Sequence, residues 1–147
     1  MSPGSESVAW KRPESILVIV VNHDDEYLVM ERVQPAGFWQ SITGSLEPDE
    51  TPAQAAQREL MEETGIDAVP VSQEYFVDFP IREPWRQHYA PDVEFNREHV
   101  FVVALANRVD VVLCPEEHCR FEWVSREQAL ERLSSPTNIA AVQRLYE

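Results

Sequence analysis

At 147 residues the chain is the size of one ordinary domain, and 44% hydrophobic residues with four tryptophans are enough to build a core. Twelve basic residues against 26 acidic ones leave a formal charge of −14, which argues against a protein that grips nucleic acid by its phosphates. No apolar run reaches membrane-spanning length, no secretory leader pattern is present, and Cys114 and Cys119 match no common zinc or redox spacing, so a soluble, cytoplasmic protein is expected.

Residues 1–9 read as a mobile tail and residues 10–147 as a single domain. Lys11-Arg12-Pro13 is either a solvated flank or a local source of positive charge. Ser15 to Val21 (SILVIVV) is a continuous β-branched run, the pattern of a buried strand. Asn22 to Asp25 forms a turn, and Tyr27 to Arg32 returns as a second strand with Arg32 at its end. Phe38 and Trp39, in FWQSITGS, read as core aromatics.

A helix with legible ends follows over 52–64. Thr51 is the candidate N-cap, Pro52 suits the first helical position, and Gln54 completes a capping box. Gly65 is the natural stop. Ala53, Ala56 and Leu60 form a narrow apolar stripe, and beside it Glu59, Glu62 and Glu63 share one face. Such like charges repel, and Glu62 and Glu63 sit in the last turn, where the helix dipole already disfavours anions. The face is either a solvated acidic surface or a set of oxygen ligands compensated by a divalent cation.

Beyond the helix, Ala68 to Phe79 reads as one or two strands. The segment 80–96 carries three prolines and is too broken for a core element. Its Trp85, His88 and Tyr89 suit stacking on a flat ring, or else the loop simply covers the sheet. Glu98 to Leu105 is a strand, Asp110 to Leu113 a further one, and Phe121 to Val124 a short one after the turn Cys114–His118. Ser125 with Gln128 caps a short helix to Leu133, residues 134–138 break it, and an amphipathic helix carrying Ile139, Val142, Leu145 and Tyr146 follows. His88, His99 and His118 show no ligand spacing and read as structural. Strands around a central helix, with a terminal helical pair, predict an α/β (α+β) sandwich: a central mixed β-sheet with helices on both faces.

Gly44, five residues, Glu50, seven residues, then Arg58-Glu59-Leu60-Met61-Glu62-Glu63-Thr64-Gly65-Ile66 resembles a complete Nudix box. The resemblance implies a Nudix-like α/β/α sandwich with its catalytic helix at 52–64, and metal-dependent hydrolysis of a diphosphate linkage. It implies Glu59, Glu62 and Glu63 as metal ligands, Arg58 holding the acidic network in register, and Mg²⁺ as the cofactor with Mn²⁺ as a possible substitute. A carboxylate in the later turn is a common addition, and the Glu-His pair selects Glu117 over Glu116 as ligand. Glu59 or Glu117 would then be the general base. The chain departs from the usual Pro-Gly-Gly with Ile42-Thr43-Gly44, which keeps the box glycine and sets a hydroxyl beside the site.

FWQS-x-TGS, with Lys11-Arg12-Pro13 upstream and His88-Tyr89-Ala90-Pro91 downstream, is similar to one branch of that family, the dihydroneopterin triphosphate diphosphatases. The likeness implies Lys11, Arg32, Thr43 and Ser135 as substrate contacts, with Phe79, Pro80, Ile81 and Arg82 on the pterin side. Arg82 departs from the apolar residue expected there. The expected partner is a small-molecule triphosphate, with neither nucleic acid nor membrane. A nucleoside triphosphate pyrophosphohydrolase is the alternative within the same chemistry. A non-catalytic metabolite-binding module is the alternative outside it, and the complete Arg-Glu-x-x-Glu-Glu run argues against that one.

Overall fold

A computed structural model describes residues 10–145, so the expected tail at 1–9 and the contribution of Tyr146 lie outside it. The strands are β1 (Glu14–Asn22), β2 (Glu26–Arg32), β3 (Trp39–Gln40), β4 (Ile42–Ser45), β5 (Val71–Pro80), β6 (Phe95–Leu105) and β7 (His118–Ser125). The helices are α1 (Pro52–Thr64), α2 (Arg126–Arg132) and α3 (Pro136–Arg144), and a single 3-10 turn spans Arg86–His88.

The apolar run at 15–21 becomes the centre of a mixed sheet. Its lack of alternation is explained by burial on both faces. Ile16, Val18 and Val20 pack with Ala55, Ala56 and Leu60 of α1. Leu17 and Ile19 pack with Ala129 and Leu133 at α2 and with Ala141 and Val142 of α3. Each large aliphatic side chain so buried contributes about 1.5–3 kcal/mol. β6 pairs with β1 in parallel along the whole length of β1, and every other pairing is antiparallel. On its other edge β1 gives residues 15–18 to β4 and Val21 to β2, so the sheet forks there. β7 and β3 extend the β2 branch.

Helix α1 has the expected limits and the expected capping box, with Gln54 N–H donating to Thr51 Oγ1 and Thr51 N–H donating to Gln54 Oε1. Gly65 ends it at φ 74°, a left-handed conformation that glycine adopts without penalty. The stripe differs by one residue from the expectation: Ala55 is buried and Ala53 exposed, because the face turned to the sheet runs through 55, 56, 59, 60 and 63. Other limits change too: β5 begins at Val71, and β6 and β7 begin three residues earlier than expected, at Phe95 and His118. Asp110 to Leu113 is not a strand; Val112 N–H donates to Thr64 O while Val111 and Leu113 pack on the core as irregular chain. The last helix starts at Pro136, since a proline at the first helical position costs no hydrogen bond. Among the described residues no helix is long and apolar enough to cross a membrane.

Candidate active site

The side of α1 that meets the sheet carries two carboxylates inward with its alanines and Leu60. Glu63 is 1% exposed, and neither of its carboxylate oxygens has a hydrogen-bond partner. Burial holds its carboxyl well above the usual range, the charges of Glu59 and Glu117 add to this, and Arg32 opposes it. Glu59 is pushed up to about 8, chiefly by burial, with Arg58 pulling the other way.

Glu59 reaches the site through a space that glycine leaves open. A Cβ on Gly44 would stand 1.5 Å from Glu59 Oε2 and 2.2 Å from its Cδ. Arg58, one residue earlier, clamps the surroundings. Its Nε and Nη2 donate to both oxygens of Glu50 at 2.7 and 2.8 Å, its Nη2 also donates to Ser45 O, and its Nη1 lies 3.4 Å from Glu59 and 3.3 Å from Glu62. Such fork-to-fork pairing fixes direction as well as charge. The side chain of Glu62 is 57% exposed and sits on the outer side of this network.

The turn before β7 brings Glu117 and His118 to the same place. Donor atoms of Glu63, Glu117 and His118 lie within 4.8 Å of one another. His118, read from the sequence as structural, borders the cluster. The Gln40 amide donates to its Nε2 at 2.9 Å, which leaves the ring proton on Nδ1, 3.9 Å from Glu63 Oε1. Burial, with Arg32 nearby, lowers its pKa to about 4, so the ring is neutral and cannot balance the carboxylates. A buried carboxylate with two unpartnered oxygens, flanked by Glu59 and Glu117, is the donor set of a hard divalent cation. The residues present fit one.

Glu59 and Glu117 line one end of a cleft of about 380 Å³, with Glu63 buried behind them. Lys11 and Arg32 face it as cations, and Thr43 and Ser135 as hydroxyls. Phe38, Phe79, Trp85 and Tyr89 form aromatic walls. Phe38 is thus a wall residue and not the expected core aromatic; its ring meets Trp85 edge-on at 5.5 Å, whereas Trp39 is buried as expected. The loop after β5 lines the cleft through Trp85 and Tyr89, while His88 holds Lys11 N–H through its backbone carbonyl. Of the four residues expected on the pterin side only Phe79 lines the cleft. Pro80 and Arg82 are exposed, and Ile81 N–H donates to Glu94 O, which ties the loop's two ends. Glu116 and Glu117 both border the cleft, and Glu117 alone joins the cluster with Glu63.

Sequence reasoning did not pick out Gln40, Asn96, Glu98, Asn138 or the site position of His118. A signal existed for two of them. Asn96, Glu98 and Val100 alternate along β6, so two polar residues share a face with core residues.

A NUDIX domain profile matches residues 11–145. The chain is 35% identical over 141 residues to a dihydroneopterin triphosphate diphosphatase of Haemophilus influenzae, covering 92% of this chain and 88% of that protein. It is 36% identical to the Escherichia coli K12 protein of the same name, covering 92% and 93%. The solved structure of the E. coli dihydroneopterin triphosphate pyrophosphohydrolase superposes with a TM-score of 0.86 over 92% of this chain and 96% of that one. With Arg58 clamped on Glu50 beside Glu59, which lines the cleft, and with the profile spanning nearly the whole chain, this protein belongs to the NUDIX family.

Proposed function

We propose that the chain hydrolyses dihydroneopterin triphosphate to dihydroneopterin monophosphate and pyrophosphate, with Mg²⁺ as its cofactor and Mn²⁺ as an acceptable replacement. The observation that carries the reading is the cleft's composition. Carboxylates, two cationic side chains and aromatic walls line one 380 Å³ space, and relatives 35–36% identical over nearly the full chain carry that activity in their names.

Glu59, Glu63 and Glu117 would hold the cation, with Glu62 at the rim of the same acidic face. When bound, the cation neutralises phosphate charge and makes a water molecule more acidic. Arg58 fixes Glu59 by holding Glu50 and the β4 carbonyl of Ser45. Lys11 and Arg32 bind the terminal phosphates, which an overall charge of −14 would otherwise repel. Thr43 and Ser135 donate to the bridging region, and Phe79 packs against the pterin. Water attacks phosphorus, its proton passes to a carboxylate oxygen of Glu59 or Glu117, and the anhydride bond breaks as pyrophosphate leaves.

The test is pyrophosphate release across dihydroneopterin triphosphate and the common nucleoside triphosphates under one metal condition. The expected kcat/KM favours the pterin by on the order of tenfold or more, the discrimination that a few apolar and polar contacts supply. Equal values across the panel would replace this reading with a general nucleotide pyrophosphohydrolase.

A further inference from the structure

The deep side of the cleft lies on the opposite face of the sheet from α1, and its chemistry is not that of the metal end. Asn96 and Glu98 stand two residues apart on β6 and point to the same face as Val100. Both are buried, at 2% and 5% exposure, and both line the cleft. Each has an acceptor with no partner, Asn96 Oδ1 and Glu98 Oε1. The Asn96 amide donates to Ser15 Oγ at 2.7 Å, which fixes its orientation. The Thr137 hydroxyl donates to the Glu98 carboxylate, and Thr137 is itself hydrogen-bonded to Ser135 at 3.0 Å. No salt bridge reaches Glu98 among the described residues. Buried acceptors without donors destabilise a fold, so a pair of them in a cleft points to donors brought by a ligand.

The pairing geometry narrows the ligand. Phe79 sits opposite Asn96 across the β5–β6 pair, which sets an aromatic ring beside the two acceptors. A carboxylate best matches two parallel N–H donors in one plane. A 2-amino-4-oxo pyrimidine edge offers these as an exocyclic amine and the neighbouring ring N–H, and pterin and guanine both carry it. Adenine turns a ring acceptor toward the same oxygens, and hypoxanthine lacks the amine.

We infer that Glu98 is the specificity-determining residue of this cleft, accepting both hydrogens of a 2-amino-4-oxo edge, with Asn96 Oδ1 taking a further donor. This rests on the cleft being the substrate site. The test compares dGMP with dIMP, which differ only in the 2-amino group, by calorimetric Kd at pH 8 in EDTA, so that the carboxylate is ionised and neither metal nor turnover enters. Wild type is expected to bind dGMP about tenfold or more tighter, the range of one good bidentate contact. In Glu98→Gln the ratio should fall to within about twofold. Equal wild-type affinities, or binding of neither nucleotide, overturn the inference without any variant. An undiminished ratio in a folded Glu98→Gln overturns it as well. A wild type that prefers dGMP yet leaves dihydroneopterin triphosphate uncleaved would sink the pterin reading and keep the role of Glu98.

Discussion

Gly44→Ala isolates the geometry of the metal end with a single methyl group. The backbone at Gly44 is not left-handed, so alanine fits it without strain. The conflict lies wholly with Glu59, whose Oε2, Cδ and Cγ would lie 1.5, 2.2 and 2.6 Å from the new carbon. Ordinary contact begins near 3.4 Å, so the carboxylate must withdraw by about 2 Å. Oxygen–magnesium bonds are about 2.0–2.1 Å long, and a ligand moved by that distance no longer coordinates. Misplacement on this scale costs at least about 10²-fold in rate. Stability should move the other way. Glycine-to-alanine at a compatible site gains about 0.4–1 kcal/mol, and Glu59 escapes the burial that raises its pKa to about 8. Turnover by pyrophosphate release and a thermal melt in EDTA are measured on Gly44→Ala, Glu59→Gln and the double variant. The expected pattern is lost turnover, an equal or higher melting temperature, and no further loss in the double variant beyond Glu59→Gln. Near-wild-type turnover in Gly44→Ala, or losses that multiply in the double variant, would refute the reasoning.

Two further outcomes follow from the buried carboxylates. Glu63→Gln should melt at or above wild type in EDTA, because it removes an unpartnered buried acid, yet should lack the several-degree rise expected of wild type on adding Mg²⁺; an equal rise in both would remove Glu63 from the ligand set. Glu98, pushed up to about 7 by burial and drawn back only by the Thr137 hydroxyl, keeps its proton in the native state at pH values where the unfolded chain, at 4.5, has lost it. Stability from this group is therefore full below about pH 4.5 and declines as pH rises through 7, by about 3 kcal/mol in total. Glu98→Gln lacks that decline, so the stability difference between variant and wild type should grow by about that amount from pH 4.5 to 8; a difference independent of pH, from urea melts, would contradict it.

The helix and its clamp were legible from sequence because their signals are local. Thr51, Pro52, Gln54 and Gly65 act within one helix, and Arg58 meets Glu62 one turn away. β3 and β4 were not recognised as strands. They are two and four residues long, and their partners lie on β1 and β2, so no local pattern marks them. The Asp110–Leu113 run has the composition of a strand, but a backbone bond to the end of α1 holds it as irregular chain. His118 escaped notice because its partners, Gln40 and Glu63, are 78 and 55 residues away in sequence. Phe38 stands in the cleft wall and not in the core because Trp85, distant in sequence, arrives from the proline-rich loop to meet its ring.

The fork in the sheet has a bearing on how such a chain can change. The acids proposed to hold the cation are carried by α1 and the turn before β7, while Asn96, Glu98 and Asn138 belong to the other face of the sheet, with β4 and β1 between α1 and β6. Substitutions on the two sides share few neighbours, so their effects should add and not compound. A lineage could therefore exchange one heterocycle for another by altering β6 and α3 while inheriting the hydrolytic apparatus intact.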